Sequence, residues 1–150
     1  MTIDTQQNLI VTDYVNNIPL RKFLPNGTAV IYPPIQYANV FDVTVDWYDN
    51  IYFSSDSLCI VQKLAMPNGS LLTTVAANGT RGKGLNELDS PSVNGIGAVY
   101  IIDWGVERIQ KWLPNAMAGT TVAGGNGYVL HLNQLGGPSA ILVHTENSEK

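Results

Sequence analysis

The amino-acid sequence predicts an all-β fold, and three observations support this prediction. Three stretches repeat the same order of short apolar runs and turn residues, with Lys22, Lys63 and Lys111 at equivalent places, 41 and then 48 residues apart. Charged residues make up 13% of the chain, about half the usual share. The 14 glycines and 8 prolines suit a turn-rich protein. Because a repeat of this length built of short strands is typical of propeller blades, we expect a partial β-propeller.

The first repeat starts within the first few residues. Residues 2–4 stand in the place of a first strand, and the apolar run in 8–13 predicts a second strand. A third strand is predicted from Leu20 onward, before the turn residues 25–27. We therefore assign the first blade to roughly residues 1–36.

The middle repeat shows the blade pattern most clearly. Val43 and Val45 lie on one face of an alternating segment, which indicates a strand, and a polar turn follows. Asn68-Gly69 predicts a tight turn because Asn-Gly readily adopts positive φ. The four strands predicted for this blade, which spans roughly 37–90, cover residues 40–45, 50–55, 60–66 and 71–76.

The third repeat, roughly residues 91–137, contains two further predicted strands at 98–103 and 108–112. The segment 94–97 lies where the innermost strand of this blade should finish, so we expect that strand to be short or irregular. Residues 138–144 are predicted to form the first strand of a fourth blade. The chain should thus hold about three four-stranded antiparallel blades and one extra strand.

The third repeat resembles the NHL-repeat family of β-propellers. Val99-Tyr-Ile-Ile-Asp103 followed by Arg108-Ile-Gln-Lys-Trp112 fits the family pattern closely, and Val122-Ala-Gly-Gly-Asn-Gly127 fits a variant of it. The resemblance covers roughly residues 3–143 and is looser in the first two repeats. It implies a propeller scaffold of NHL type.

The resemblance also implies a contact between Asp103 and Arg108, because the family pattern places an Arg five residues after the strand-ending Asp. We expect this contact to lie near the surface and to stabilise the fold by about 0.2–1 kcal/mol. The second repeat has Ser55 and Ile60 at these positions and therefore lacks the pair.

A ring of this family closes with about six blades, and this sequence supplies three. Each end of a three-blade stack exposes the apolar flank of a blade, which favours association. Three alternatives follow: the chain is a fragment of a longer product, two copies associate to complete a ring, or the blades form an open stack.

We expect recognition to occur on the face that gathers the loops between second and third strands and the links between blades. Exposed loops on a rigid scaffold are the usual place for binding residues. Trp104 is the strongest candidate because an aromatic side chain in a loop is a common anchor; the alternative is that Trp104 covers the edge of its blade. The candidate residues for binding a partner or ligand are Tyr14, Asp56, Arg81, Lys83, Trp104, Arg108, Tyr128 and His131.

The sequence favours a non-catalytic scaffold that binds a protein or a small ligand. His131 and His144 are the two histidines, and no metal-ligand spacing, phosphate loop or nucleophile motif accompanies them, so we predict no catalytic residues, metal or cofactor. The net charge of −4 makes a nucleic-acid partner improbable, and no run approaches the roughly 18 apolar residues of a membrane span. The alternative is a fragment of an enzymatic propeller, of lyase or hydrolase type, whose site requires further blades.

Overall fold

A computed structural model describes residues 1–13, 20–32, 40–55, 58–66, 71–76, 88–127 and 131–143. In these ranges the chain forms three four-stranded antiparallel sheets, each built from four strands that are consecutive in sequence. The all-β fold and the four-stranded blades predicted from the sequence are confirmed. Within the described ranges no helix has the length and apolar character needed to cross a membrane.

The strand bounds follow the repeats. The first sheet contains β1 (Thr2–Ile3), β2 (Leu9–Thr12), β3 (Leu20–Phe23) and β4 (Ala29–Ile31). The second contains β5 (Val40–Val45), β6 (Ile51–Ser55), β7 (Ile60–Ala65) and β8 (Leu71–Ala76). The third contains β9 (Leu88–Val93), β10 (Val99–Asp103), β11 (Arg108–Trp112) and β12 (Thr120–Gly124), with a short 3₁₀ helix, Trp104–Val106, between β10 and β11.

The core lies between the sheets, because each blade packs one face against the next. Ile10 and Leu20 of the first sheet are buried against Ile51 and Phe53 of the second. On the other face of the second sheet, a separate buried cluster joins it to the third sheet and contains Tyr52, Val61, Val99, Ile101 and Trp112. Side chains alternate between the faces of a strand, so β6 contributes to both clusters and all five of its residues are buried.

A repeated turn connects the first two strands of every blade. Asp4 Oδ1 accepts hydrogen bonds from the backbone N–H groups of Gln6 and Asn8, at 3.0 and 2.8 Å. Asp46 Oδ1 does the same for Tyr48 and Asn50, at 2.9 and 3.0 Å. Asn94 Oδ1 takes the place of these carboxylates and accepts from Ile96 and Ala98, at 3.3 and 2.9 Å. A side-chain oxygen that accepts from the following backbone is the reason Asp and Asn favour turns.

These turns define the two ends of the stack. We call the end that holds residues 4–8, 46–50 and 94–98 the turn end. Since antiparallel strands alternate in direction, the loop 103–107 and the segment 124–137 after β12 lie at the opposite end, which we call the link end.

The innermost strand of the third sheet was expected to be short or irregular, and it is irregular but not short. β9 has six residues, and its irregularity is a shift of register against β10 between Ile101 and Asp103. Pro91 lies within β9 and is accommodated because β9 is at the edge of its sheet, where one row of N–H groups has no ladder partner. The segment 94–97 forms the turn that follows the strand.

Residues 138–143 are not assigned to a strand, and His144 lies outside the described residues. The Val143 N–H donates to Ser92 Oγ at 3.3 Å, which is a contact with a side chain and not a bond in a strand ladder. The third sheet begins at Leu88, before the boundary at 91 predicted for this blade.

Candidate functional site

An open cleft of about 510 Å³ lies between the second and third sheets at the turn end. Pockets of this volume are in the range that encloses small ligands. Its lining comes from the turns and adjoining strand ends of both blades: Asp46, Trp47, Tyr48, Tyr52, Lys63, Thr73, Val75, Asn94, Gly95, Ile96, Gly97, Val99, Leu113, Pro114 and Asn115. We call it the inter-blade cleft.

The rim of the inter-blade cleft is apolar and exposed. Trp47 and Tyr48 of the second blade are 58% and 79% exposed, and Ile96 of the third blade is 69% exposed. Leu113 lies on the same rim and is half exposed. Single exposed apolar residues are ordinary, but a group of them around a concavity is typical of a binding site.

The floor of the inter-blade cleft is polar and built around Asp46. Its carboxylate accepts the two backbone N–H groups of the turn, and Asn50 Nδ2 donates to both of its oxygens at 3.1 and 2.8 Å. The Tyr52 hydroxyl donates to Asp46 Oδ2 at 3.1 Å. Burial, followed by the negative charge of Asp46, raises the pKa of Tyr52, so this tyrosine remains a neutral donor. Asp46 is therefore a well-satisfied structural carboxylate.

Lys63 lies farther from the carboxylate of its blade than the equivalent lysine of the first blade does. Its Nζ is 3.9 Å from Asp46 Oδ2, beyond hydrogen-bond distance, and 5.3 Å from the centroid of the Tyr52 ring. In the first blade the equivalent Lys22 Nζ is 2.7 Å from Asp4 Oδ2, and both groups are nearly buried. The ammonium of Lys63 therefore has donor capacity that faces the cleft.

The ion pair with Lys22 affects the pKa of Asp4. Burial alone would raise the pKa of this carboxyl, but hydrogen bonds from Lys22 and Asn8 outweigh burial, and the pKa is lowered. Asp4 thus stabilises the folded chain above the pKa of an unfolded Asp, about 3.9. That contribution is lost as the pH falls through the lower folded value.

The inter-blade cleft is open because a contact that closes the preceding interface is missing. Between the first and second blades, the N–H and Oγ1 of Thr5 donate to the Asp49 carboxylate at 2.8 and 2.6 Å. The same positions of the next pair of blades hold Trp47 and Gly97, which cannot form such a contact. A side chain at Gly97 would meet Pro114, since a Cβ there would be 3.5 Å from its ring.

A smaller cavity of about 310 Å³ lies where the inner strands β1, β5 and β9 approach one another. Asp4, Asp49 and Ser92 contribute polar groups to it, and Leu142 and Val143 also line it. Trp47 and Asp46 line this cavity as well as the inter-blade cleft. Trp47 therefore forms a wall between the two spaces.

Trp104, the strongest candidate from the sequence, begins the 3₁₀ helix at the link end and is 47% exposed. The segment after β12 returns over this loop: the Gly125 N–H donates to Glu107 O at 2.9 Å, and the Gly137 N–H donates to the Glu107 carboxylate. A Cβ on Gly137 would be 3.8 Å from Trp104 Nε1. The indole is thus partly covered by the chain itself and partly available.

Arg108 is bound to Asp103, as the family resemblance implies, with Nε 2.7 Å from Oδ2. The expectation of a surface contact is wrong, because the Asp103 side chain is fully buried while the guanidinium is about one quarter exposed. The reason is that Asp103 ends β10, which is an inner strand of its sheet. Arg108 therefore stabilises the loop 103–107 by joining its two ends.

His131 is exposed at the link end, where its backbone N–H donates to Gln134 Oε1 at 3.2 Å. Trp104, Arg108 and His131 all belong to link-end segments. The other five candidate residues lie outside the described residues: Tyr14, Asp56, Arg81, Lys83 and Tyr128.

The residues of the inter-blade cleft were not predicted from the sequence, because the candidate binding residues were sought in the loops of the link end. The sequence does contain a pattern that points to the cleft, since the turns 46–50 and 94–98 align position by position. Trp47 stands where the first repeat has Thr5, and Gly95 and Gly97 replace larger residues. A large aromatic residue opposite two glycines is a pattern that predicts a gap between neighbouring blades.

The comparisons with known proteins support the fold. No protein-family model matches the chain, and no curated protein matches it. A structure of streptogramin B lyase is similar over 80% of this chain, with a TM-score of 0.62 and 16% identity. A structural genomics protein from Bacteroides thetaiotaomicron is similar over 82%, with a TM-score of 0.63 and 17% identity. Virginiamycin B lyase from Staphylococcus aureus is similar over 79%, with a TM-score of 0.58 and 12% identity.

These similar structures are β-propeller proteins, so the sheets of this chain are propeller blades. The chain spans 37%, 34% and 38% of the length of the three proteins, which is less than half of each. At such identities the likeness concerns the fold alone. In the described part of the chain, no group of three or more His, Cys, Asp or Glu side chains is placed to hold a metal ion.

Proposed function

We propose that this chain is a non-catalytic binding unit of a β-propeller, with blades of NHL type, and that the inter-blade cleft holds a small ligand. The observation that supports this most is the exposed apolar rim of Trp47, Tyr48 and Ile96 around a concave space with a polar floor. Ligand sites generally combine apolar walls with a few placed polar groups. The second and third blades supply one wall each.

The rigidity of the surroundings also favours binding. Asp46 and Asn94 hold the two rim turns by hydrogen bonds to their backbones, so Trp47 and Ile96 start from fixed turns. A side chain whose supporting backbone is already ordered loses less entropy when a ligand binds. The cleft is therefore suited to binding without a large rearrangement.

Screening a library of small aromatic and aliphatic fragments by ¹H–¹⁵N NMR on the 150-residue chain tests this proposal. We expect shifts at the Trp47 indole N–H and at Gly95 and Gly97, and loss of the two glycine shifts in Trp47→Ala. Trp104→Ala is the matched control, because Trp104 is an exposed tryptophan at the opposite end. Hits that depend on Trp104 and not on Trp47 would place the binding site at the link end, as predicted from the sequence.

The alternative function is a part of an enzymatic propeller of lyase or hydrolase type. The observation that favours it is that two of the similar structures are named as lyases, for streptogramin B and virginiamycin B. Mass spectrometry of streptogramin B incubated with the chain and divalent metals tests it directly. Conversion of the antibiotic would support the enzyme and contradict the non-catalytic proposal.

A further inference from the structure

We infer that the ligand of the inter-blade cleft is amphipathic, with a flat apolar body held between the rim residues and an acidic group that accepts hydrogen bonds from Lys63. This inference rests on the proposed function and adds the chemical class of the ligand. Three observations lead to it: the free donor capacity of Lys63, the order of apolar and polar residues along the cleft, and the missing contact at its entrance.

The ammonium of Lys63 is the cationic group of the cleft lining. An ammonium has three N–H donors. Among the described residues its nearest acidic oxygen, Asp46 Oδ2, is 3.9 Å away, while Lys22 holds the matching oxygen of Asp4 at 2.7 Å. An oxygen of a carboxylate ligand would give Lys63 the short, charge-assisted hydrogen bond that its counterpart already has.

Asp46 does not prevent an anion from binding beside it. Its oxygens are occupied by the turn backbone, Asn50 and the Tyr52 hydroxyl, and its side chain is 7% exposed. These hydrogen bonds stabilise the carboxylate of Asp46 without a close contact from Lys63. The Lys63 side chain is 30% exposed, so it is the more accessible member of the pair and carries the charge that a ligand meets.

The order of residues along the cleft determines the shape of the ligand. Lys63 lies on β7 within the sheet, whereas Trp47, Tyr48 and Ile96 lie on the turns at the entrance. A ligand that enters with its acidic end first would bring its apolar body between the aromatic and aliphatic walls. The bulk of Trp47 favours a flat body, because aromatic faces pack best in offset or edge contacts.

The preceding interface shows why this site occurs once among the two interfaces that the structure describes. There Lys22 is already paired and the Thr5–Asp49 hydrogen bonds close the turn end. Between the second and third blades, Gly95 and Gly97 leave the corresponding entrance clear. Lys22 thus stabilises the fold at the first interface, whereas the equivalent Lys63 can bind a ligand at the second.

The test compares 1-naphthylacetate with the neutral, nearly isosteric 1-naphthylacetamide, both titrated by NMR against the 150-residue chain. We expect the acid to bind about tenfold more tightly than the amide, as one charge-assisted hydrogen bond predicts. Lys63→Gln should remove this preference, and Lys63→Arg should retain most of it. Lys111→Gln is the matched control, since Lys111 also lies over a tyrosine, 5.5 Å from the Tyr100 centroid, and does not line the cleft.

Equal binding of acid and amide, or an unchanged preference in Lys63→Gln, would overturn the inference and leave the proposed function standing. Absence of any ligand in the fragment screen would overturn both. If Lys63→Gln does not fold, as judged by its thermal transition, the acid-to-amide ratio of the unaltered chain and of Lys63→Arg decides: a ratio near one contradicts the inference, and a ratio of about ten supports it.

Discussion

Asn94 shows how a single atom distinguishes the third blade from the first two. Asp4 and Asp46 both accept hydrogen bonds from the turn backbone. Each also lies near the lysine on the third strand of its own blade. Asn94 keeps the turn but has no charge, and Lys111 lies over Tyr100 as Lys63 lies over Tyr52. At the residue scale, the turn and the ion pair are therefore separable functions of one side chain.

Asn94→Asp should restore the ion pair with Lys111 and stabilise the chain by about 0.2–1 kcal/mol at pH 7, the range for exposed pairs. The carboxylate keeps the acceptor oxygen of the turn, so nothing is lost in exchange. Urea unfolding at pH 7 and at pH 3 measures the effect, which should be much smaller at pH 3, because the contribution of the ion pair is lost as the pH falls below the pKa of an unfolded Asp, about 3.9. Asn94→Ala is the control and should cost about 1 kcal/mol through the lost turn bonds. A gain that persists at pH 3 would show that the charge is not its cause.

Because the carboxylate of Asp103 is buried, we expect substitution of Arg108 to lower the stability of the fold. Arg108→Ala should lower the free energy of unfolding by about 1.5–3 kcal/mol, because it removes a charged partner from a group with no access to water. Arg21→Ala is the matched control: the Arg21–Asp13 pair has the same 2.7 Å distance, but both side chains are partly exposed. Its cost should stay below about 1 kcal/mol. Equal losses in chemical denaturation of the two variants would contradict this assignment.

At the scale of the strands, the sequence predicted most of what the structure contains. The strands of the second blade fall where alternation and the flanking turn residues placed them. The third blade was harder to predict, because 94–97 resembles a broken strand when only its glycines are considered. Its role became clear through the hydrogen bonds of Asn94, which depend on backbone directions that no periodicity reveals. The cleft was missed for a related reason: it is formed by two turns that are 48 residues apart (94 − 46).

The run 124–127 after β12 offers a comparison of two glycines with different surroundings. Gly124 has φ +70°, and a Cβ there would collide with the carbonyl oxygen of Glu107. Gly127 has φ +87°, and no atom of the described residues beyond its chain neighbours lies within 4 Å of its Cβ position. Gly127→Ala should therefore cost about 1 kcal/mol through its backbone alone, and Gly124→Ala about 2–4 kcal/mol. Thermal unfolding of both variants checks this; similar losses would mean that the collision is relieved by movement of the loop.

At the scale of the whole molecule, stability resides in the interfaces between blades. Tyr32 lies in the interface of the first two blades and Tyr52 in the next. Burial, followed by the charges of Asp4 and Asp49, raises the pKa of Tyr32 to about 12. Each interface therefore contains a phenol that must remain neutral, and both depend on pH in the alkaline range.

The chain should lose stability above pH 10. An unfolded tyrosine ionises at about pH 10, while the folded Tyr32 resists until about 12, so its contribution is complete below pH 10 and is lost as the pH rises towards 12. Tyr32→Phe should reduce this alkaline loss. At pH 7 it should leave stability unchanged or raise it, because the Tyr32 hydroxyl is buried with no hydrogen-bond partner among the described residues. Guanidinium unfolding from pH 7 to 11 provides the measurement; a large loss at pH 7 would contradict it.

Self-association to complete a ring of six blades stays a prediction. The outer face of the first sheet presents Leu9, Val11 and Phe23, which are partly buried residues opposite the face that packs on the second sheet. If two copies close a ring, light scattering should give twice the 16.3 kDa of the chain, and Val11→Lys should return it to the single mass. A monomer at all concentrations would contradict self-association.

The enclosure of β6 on both faces has a consequence for how this protein tolerates change. In a deep mutational scan, substitutions from Ile51 to Ser55 should be the least accepted, since every side chain there is surrounded. Those in β4, whose residues are all exposed, should be nearly neutral. The rim positions Trp47 and Ile96 are as exposed as a surface loop yet stand on turns joined to the most constrained strands. Variation at these positions would alter what the protein recognises while leaving its architecture intact, which makes them natural sites for engineering new specificity.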